Sequence, residues 1–317
     1  MIHKNKFLLP LSGIAIGLAY GLAVRLCAQY TSFGVMSLGF LVVAPFAMGY
    51  VSVYVAERRE RQPIWVWILV PWIPVILGAI GTILVLWEGW ICVVMFTPIG
   101  LCFATLGGAV GGLSARRLRL RAARTSLVCV LILPLLIAPW EQQVFSQREL
   151  RQVETFIDIQ APPAVVWRNI ERVPAIRPQE LTPSWSRRIG FPDPVEATLS
   201  YEGVGGIRHA TFAGGVLFIE TIDVWEPQQR LAFSIQAQTD QIPPTTLDSH
   251  VRVGGAFFDV LRGEYRLEAL PGGITRLHLS SRHRVSTDFN WYAHLWTDAI
   301  MADLQNTILH VIKRRCE

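Results

Sequence analysis

Four stretches of the chain are long, apolar and free of charge: Phe7–Val24, Phe33–Val55, Ile64–Trp87 and Trp90–Leu113. A helix needs about 20 apolar residues to cross the hydrocarbon core of a bilayer. A segment in lipid must also satisfy its own backbone polar groups, which a helix does. The pattern therefore predicts a membrane α-helical bundle in residues 1–140. A fifth stretch, Ser126–Trp140, is apolar but short and contains Pro134 and Pro139. It is read here as a span helped by Thr125 and its flanks, with a re-entrant or interfacial piece as the alternative. The first stretch could also be read as a signal peptide. Its apolar run is longer than a usual signal core, and Arg25-Leu26-Cys27-Ala28 closes it without an A-x-A-like site, so a retained helix is expected.

Charge divides the chain at the same place. Residues 1–140 hold 11 Lys/Arg against 3 Asp/Glu, and residues 141–317 hold 18 against 21, which together make the net +5. Lys4 and Lys6 precede the first span, Arg58, Arg59 and Arg61 follow the second, and Arg116, Arg117, Arg119, Arg121 and Arg124 follow the fourth. Alternating spans put these on one side, leaving only Arg25 on the other. The positive-inside rule then predicts an integral membrane protein of a bacterial-type plasma (inner) membrane with a cytoplasmic N-terminus. If the fifth stretch crosses, residues after Trp140 are extracytoplasmic; if not, they are cytoplasmic. Trp65, Trp87, Trp90 and Trp140 stand at segment ends, where an indole favours the interface. Because the basic residues record topology, no nucleic-acid partner is expected; membrane lipids are.

Gly13, Gly17 and Gly21 are four apart, as are Gly107/Gly111 and Gly108/Gly112. Such stripes let helices approach closely. They fit either a homo-oligomer face or packing within the bundle, and the second is favoured. No Asp, Glu, Lys or His lies mid-span, which argues against a transporter or pump. Cys27, Cys92, Cys102 and Cys129 belong to apolar segments and Cys316 stands next to the end, so no soluble disulfide framework is expected.

Beyond a polar connector, 141–151, the period changes from helical to alternating. Val153–Gln160 reads as a strand with Val153, Thr155, Ile157 and Ile159 on one face. Ala161-Pro162-Pro163 ends it, and Ala164–Ile170 follows as a short helix. Then come candidate strands Val195–Tyr201, Ile207–Phe212, Val216–Trp225, Leu231–Ala237, Gly263–Leu270 and Ile274–Val285, separated by glycine- and proline-bearing turns. The long segment Thr239–Val260 interrupts them and reads as a functional loop or lid. Asn290–Arg315 closes the chain as a helix, with Tyr292, Trp296, Ile300, Leu304 and Val311 near one face.

This order resembles the START-like helix-grip superfamily, also called SRPBCC, in its polyketide cyclase/dehydrase and lipid-transport branch. The resemblance covers about residues 152–317. It is carried by Ile157-Asp158-Ile159-Gln160-Ala161-Pro162-Pro163-Ala164-Val165-Val166-Trp167, by Gly203–His209, by Val224-Trp225-Glu226-Pro227 with Arg230-Leu231-Ala232-Phe233, and by Gly273-Ile274-Thr275-Arg276-Leu277 before the last helix. It implies an α+β helix-grip domain, an antiparallel sheet around a long C-terminal helix, with an apolar cavity for a small hydrophobic, lipid-like or polyketide-like ligand.

Alternation nominates residues for that cavity. In the last strand, Leu277, Leu279, Ser281 and His283 share the apolar face, which makes His283 a candidate. Tyr265 points inward with Leu267, and His209 shares a face with Ile207 and Thr211. Glu220 lies with Phe218 and Ile222, where a carboxylate is costly unless paired, so it is a general base or, by preference, the partner of an arginine. Trp296 and Asp303 lie on or beside the apolar stripe of the last helix, and Asp248 and His250 lie in the long insertion. No HExxH, CxxC, P-loop or nucleophile-elbow pattern occurs, so neither a metal nor a cofactor is expected. Three readings follow. The first is a membrane-anchored binding module. The second is a cyclase, dehydratase or hydrolase using His283, Glu220 or Asp303. The third is an interaction module whose cavity is filled by Trp296, Tyr292 and Phe side chains.

Overall fold

The computed structural model describes residues 8–30, 34–118, 120–144, 148–238 and 252–317. It divides into two compact units, 1–146 with 287–289, and 147–286 with 290–317.

The first unit is helical: α1 (Leu8–Tyr30), α2 (Ala44–Arg59), α3 (Ile64–Leu69), α4 (Trp72–Leu84), α5 (Trp90–Arg117) and α6 (Leu120–Val144). Four helical stretches, Leu11–Ala28, Gly39–Arg59, Ile64–Leu84 and Trp90–Arg117, are long and apolar enough to cross a membrane. The fifth stretch has a shorter apolar helical core, Arg124–Ile137. The third is broken into α3 and α4 at Pro71, whose ring cannot continue the helical hydrogen bonding. A single π-helical turn, Gly39–Val43, leads into α2, and the buried Glu141 carboxylate accepts from its Gly39 N–H at 3.0 Å. Both glycine stripes are spent inside the bundle. A Cβ on Gly13 would lie 2.1 Å from the Ser52 carbonyl oxygen, and one on Gly107 1.9 Å from that of Phe46. The backbones of α1, α2 and α5 touch at those points.

The second unit is one antiparallel seven-stranded sheet gripping a C-terminal helix. Its strands are β1 (Glu149–Ile159), β2 (Pro194–Leu199), β3 (Ile207–Phe212), β4 (Leu217–Glu226), β5 (Arg230–Ala237), β6 (Phe258–Leu270) and β7 (Ile274–Val285). The order across the sheet is β1-β7-β6-β5-β4-β3-β2, a meander closed by the first strand. The helix α9 (Asn290–Cys316) lies against β1 and β7, and α7 (Pro163–Glu171) packs beside it. The main core joins Ile159, Trp167, Ile170, Leu231, Leu277, Leu309 and Ile312.

Two element boundaries differ by several residues from the sequence reading. The polar connector is shorter, because β1 begins at Glu149 and pairs with β7 from Glu149↔Val285 onward. β6 begins at Phe258, inside the stretch expected to be a loop, because β7 extends far enough to pair with it. Asp248 and His250 lie outside the described residues. On α9 the buried face runs through Ala293, Ile300, Met301, Gln305, Leu309 and Ile312. Trp296 therefore sits aside from it, with its ring centroid 6.3 Å from that of Trp185.

Candidate functional site

Between the concave side of the sheet and α9 lies a cavity of about 100 Å³. Its walls are largely apolar: Phe212, Phe218, Phe233, Ile235, Val260 and Leu279 from strands, and Met301, Leu304 and Ile308 from α9. The polar groups on this lining are few, and the central ones come from three strands: Arg208 on β3, Glu220 on β4 and Tyr265 on β6.

Register explains how they meet. β3 and β4 form a hairpin around Gly214 and Gly215, both with positive φ, 71° and 80°. Glycine adopts that conformation without a Cβ clash. The hairpin sets Arg208 opposite Glu220 and Ala210 opposite Phe218. Cross-strand partners point to the same face, so a Glu220 that faces inward brings Arg208 in with it. On β6 a bulge between Val260 and Arg262 shifts the alternation. Val260 above it and Gly263, Tyr265 and Leu267 below it all face the core, while Arg262 and Glu264 turn outward. Gly263 has its own reason: a Cβ there would fall 2.5 Å from the Phe233 ring.

A guanidinium Nη of Arg208 donates to Glu220 Oε2, and both side chains are almost wholly buried. The Tyr265 phenol is close enough to the pair to interact with it electrostatically. The guanidinium carbon lies 5.4 Å from the centroid of the Phe233 ring, within cation–π range. Burial pushes the Glu220 carboxyl above its ordinary range, against the pull of Arg208. Burial likewise raises the Tyr265 phenol. The arginine stays charged at any accessible pH. A second polar group crosses the cavity wall. Gln305 donates to the Val153 carbonyl at 3.0 Å and to Ser281 Oγ at 2.9 Å, and its Oε1 accepts from Thr155 at 3.0 Å. This ties α9 to β1 and β7.

The residues nominated from sequence separate into two groups. Glu220 and Tyr265 line the cavity together with Arg208, and Glu220 is that arginine's partner. The other four do not line it. His209 is exposed, since the register with β4 turns Arg208 and Ala210 inward instead. Asp303 accepts from Ser184 Oγ, from Ser186 N at 3.1 Å and from Ser186 Oγ at 2.6 Å, and so holds the short helix α8 (Trp185–Arg188) against α9. Trp296 rests on Trp185 and Tyr292. His283 faces inward as its strand parity requires, but it is sealed off. Its Nε2 lies 3.3 Å from Thr297 Oγ1 and 3.4 Å from Asp298 Oδ1, and the Phe258 ring covers it at 5.6 Å. Burial holds its pKa below the usual histidine range. His283, Glu220 and Asp303 thus have separate partners in separate places and do not form one acid–base set. Among the described residues no cluster of His, Cys, Asp or Glu is arranged to hold a metal.

Arg208 and Gln305 are the residues that alternation missed. Arg208 was legible in the hairpin, because a turn centred on Gly214 places residues 208 and 220 opposite each other. Gln305 carried no comparable signal.

No protein-family model matches the sequence, and no curated protein matches it. Solved structures do resemble it over about half its length. The Zhui aromatase/cyclase from Streptomyces sp. R1128 is 20% identical, with 53% of this chain and 97% of that one covered and a TM-score of 0.32. A START superfamily protein from Mycobacterium smegmatis is 8% identical, with 52% and 96% covered and a TM-score of 0.34. DynU16, from the dynemicin biosynthetic locus, is 17% identical, with 51% and 47% covered and a TM-score of 0.30; the chain spans about half of that protein.

Proposed function

We propose that this chain is a membrane-anchored binding protein whose sheet unit holds a small hydrophobic molecule, or the apolar end of a larger one, between sheet and helix. The observation that carries this is the cavity: about 100 Å³ of space inside an otherwise well-packed unit, walled by phenylalanine and aliphatic side chains. Interiors pack like organic crystals and leave few voids larger than a water. An engineered cavity of about 150 Å³ binds benzene. A ring or a short chain matches the space here; a complete polycyclic or diacyl body exceeds it. The START-like sequence motifs support the same reading.

The anchor rests on the four helices long and apolar enough to cross a bilayer. The distribution of Lys and Arg supports a cytoplasmic N-terminus. α6 has 25 residues, but its apolar core is the shorter Arg124–Ile137, so the side of the membrane on which the sheet unit lies turns on whether α6 crosses. Reporter fusions after residue 317 and within the first residues decide it; reporters on the same side would place the sheet unit in the cytoplasm.

The binding reading is tested by mass spectrometry of small molecules released from the gently purified full chain, beside an Ala210→Phe variant. Ala210 lines the cavity, and a phenyl ring there fills it. One hydrophobic compound enriched in the wild type and depleted in the variant supports the proposal. No compound above background, together with no thermal stabilisation by a panel of small apolar molecules, overturns it.

A further inference from the structure

The exposed apolar side chains of the sheet unit gather toward one end of it. Register defines that end. Glu149, the first residue of β1, lies opposite Val285, the last of β7, and α9 begins at Asn290. The antiparallel ladder carries the same end across to the start of β2 at Pro194. Here Leu150, Val195, Trp291 and Leu295 are exposed, Trp291 by 53% and Leu295 by 61%. Trp291 and Leu295 are four apart in the first turns of α9, so they share a face of the helix. The exposed Trp185 on α8 adjoins these turns, with its ring centroid 6.3 Å from that of Trp296. Among the described residues, the opposite end exposes only Tyr201 and Val204 as large apolar side chains, both in the β2–β3 turn.

Grouped apolar side chains at a surface mark a place where something covers them. Three observations favour a phospholipid bilayer as that cover. An indole has an apolar body and one polar edge, and such rings settle in the headgroup layer. Arg148 and Arg188 adjoin Glu149 and Trp185 on the chain and are exposed, with no ion pair among the described residues; their charge complements lipid phosphates. Only residues 145–148 separate α6 from β1, about 17 Å when fully extended. The chain therefore keeps this end of the sheet within reach of the bilayer on whichever side α6 leaves it. A tether of that length makes docking an intramolecular event, so a contact too weak to hold a free domain suffices. The cavity lies toward the same end, where Pro194, Phe212 and Val260 line it. We propose that Trp185, Trp291 and Leu295 seat in the headgroup layer of the bilayer that carries the helical unit, and so hold the cavity end of the sheet unit on the membrane. This rests on the membrane-anchored reading above and adds how the sheet unit meets the lipid.

The experiment uses the full chain, grown with fluorotryptophan, in nanodiscs of phosphatidylcholine and phosphatidylglycerol that hold a single chain. Fluorine resonances of Trp185, Trp291 and Trp65 are identified by single substitution to Phe. Trp65, exposed at the start of α3, reports on the helical unit. Two relaxation agents are compared: a lipid spin-labelled at its headgroup and a water-soluble gadolinium chelate. The Trp185 and Trp291 signals are expected to be lost to the lipid label and kept with gadolinium. A Val204→Trp variant, probing the opposite end, is expected to show the reverse for its added signal. The Trp291→Glu/Leu295→Glu variant changes exposed positions only, and is expected to expose the Trp185 signal to gadolinium and spare it from the lipid label. In the wild type, loss of the Trp185 and Trp291 signals to gadolinium, with Trp65 lost to the lipid label, overturns the docking and leaves the anchored reading standing. Signals spared by both agents would mean that protein covers the patch, which also overturns it. A Trp185 response unchanged in the double variant overturns the assignment to these side chains. Trp65 spared by the lipid label overturns the anchored reading, and the docking with it.

Discussion

The helical unit and the sheet unit bury their charged groups in opposite places. In the helical unit the buried charged groups sit near helix ends, while Ser52, in the middle of α2, donates to the Met48 carbonyl of its own helix. Glu57, near the end of α2, accepts from Trp67 Nε1 at 3.1 Å and from Arg116 Nε at 2.7 Å, and Glu141 meets the turn before α2. In the sheet unit the buried polar groups sit mid-element: Arg208, Glu220, Tyr265 and Ser281 in strands, Gln305 in the centre of α9. A helix satisfies its own backbone, so its middle can be wholly apolar and pack by close approach at glycines. A strand borrows its hydrogen bonds and its inward face from neighbours, so a polar residue can be turned inward by its partner's register. The first arrangement builds a scaffold, and the second can build a site.

Four perturbations break or sharpen that contrast. The largest effect is expected from Glu220→Ala, which strands a charged, buried Arg208 and should cost about 3–5 kcal/mol in thermal or denaturant unfolding of the sheet unit. Replacing both Arg208 and Glu220 with Met should be near neutral, since paired burial is costly to break and cheap to remove. A double variant as unstable as the single one would mean the pair organises the sheet beyond its charge.

Gly107→Ala comes next. Its Cβ would press on the Phe46 backbone, whereas a Cβ on Gly81 meets nothing within 4 Å. Overpacking typically costs about 1–3 kcal/mol, and Gly107→Ala should reach the upper end. Gly81→Ala should be neutral or stabilising. Circular dichroism melts of the detergent-solubilised chain separate them, and equal melts would show that the glycine stripe is not what holds α2 to α5.

Acid should act on the sheet unit in two stages. His283 has a folded pKa below 6.5 because of burial, so its contribution is full above pH 6.5 and is lost as pH falls below that value. Glu180 is held down to about 2 by Arg315, so its contribution is full above about 4.5 and is lost between there and about 2. In melting temperature against pH, measured relative to wild type, Glu180→Gln should diminish the lower stage, to which Asp158, held down by Arg276, also contributes, and leave the upper one. A variant curve that also loses the upper stage would contradict the assignment.

The smallest effect belongs to His209→Ala. Its side chain is exposed on the face opposite Arg208, so the change should stay within about 0.5 kcal/mol and leave ligand release unchanged. A larger effect would mean that this outer face of β3 has a partner.

The fold was legible where local pattern and environment agree. Uncharged runs of helical length marked the four long helices, and the turns marked the meander. β7 was read correctly because Leu277 and Leu279 left no doubt about its inner face. β3 was read the wrong way round, because Ile207, His209 and Thr211 look no less apolar than Arg208 and Ala210. Strand periodicity alone could not weigh a buried arginine that its partner across the ladder satisfies. Trp296 and Asp303 failed differently. Their faces on α9 are set by where the helix meets β1, β7 and α8, contacts made by residues far apart in the chain.

By itself, then, the sequence determined the membrane-length helices, the alternating strands and the long closing helix. Each of these follows from the hydropathy of neighbouring residues and the hydrogen bonding of a single segment. Only the tertiary structure decided the site. Pairing Arg208 with Glu220 needs the register of a hairpin, bringing Tyr265 inward needs a bulge, and enclosing them needs α9 laid across the sheet. The cost of burying a charge is a property of that assembled enclosure, so no single segment could disclose it.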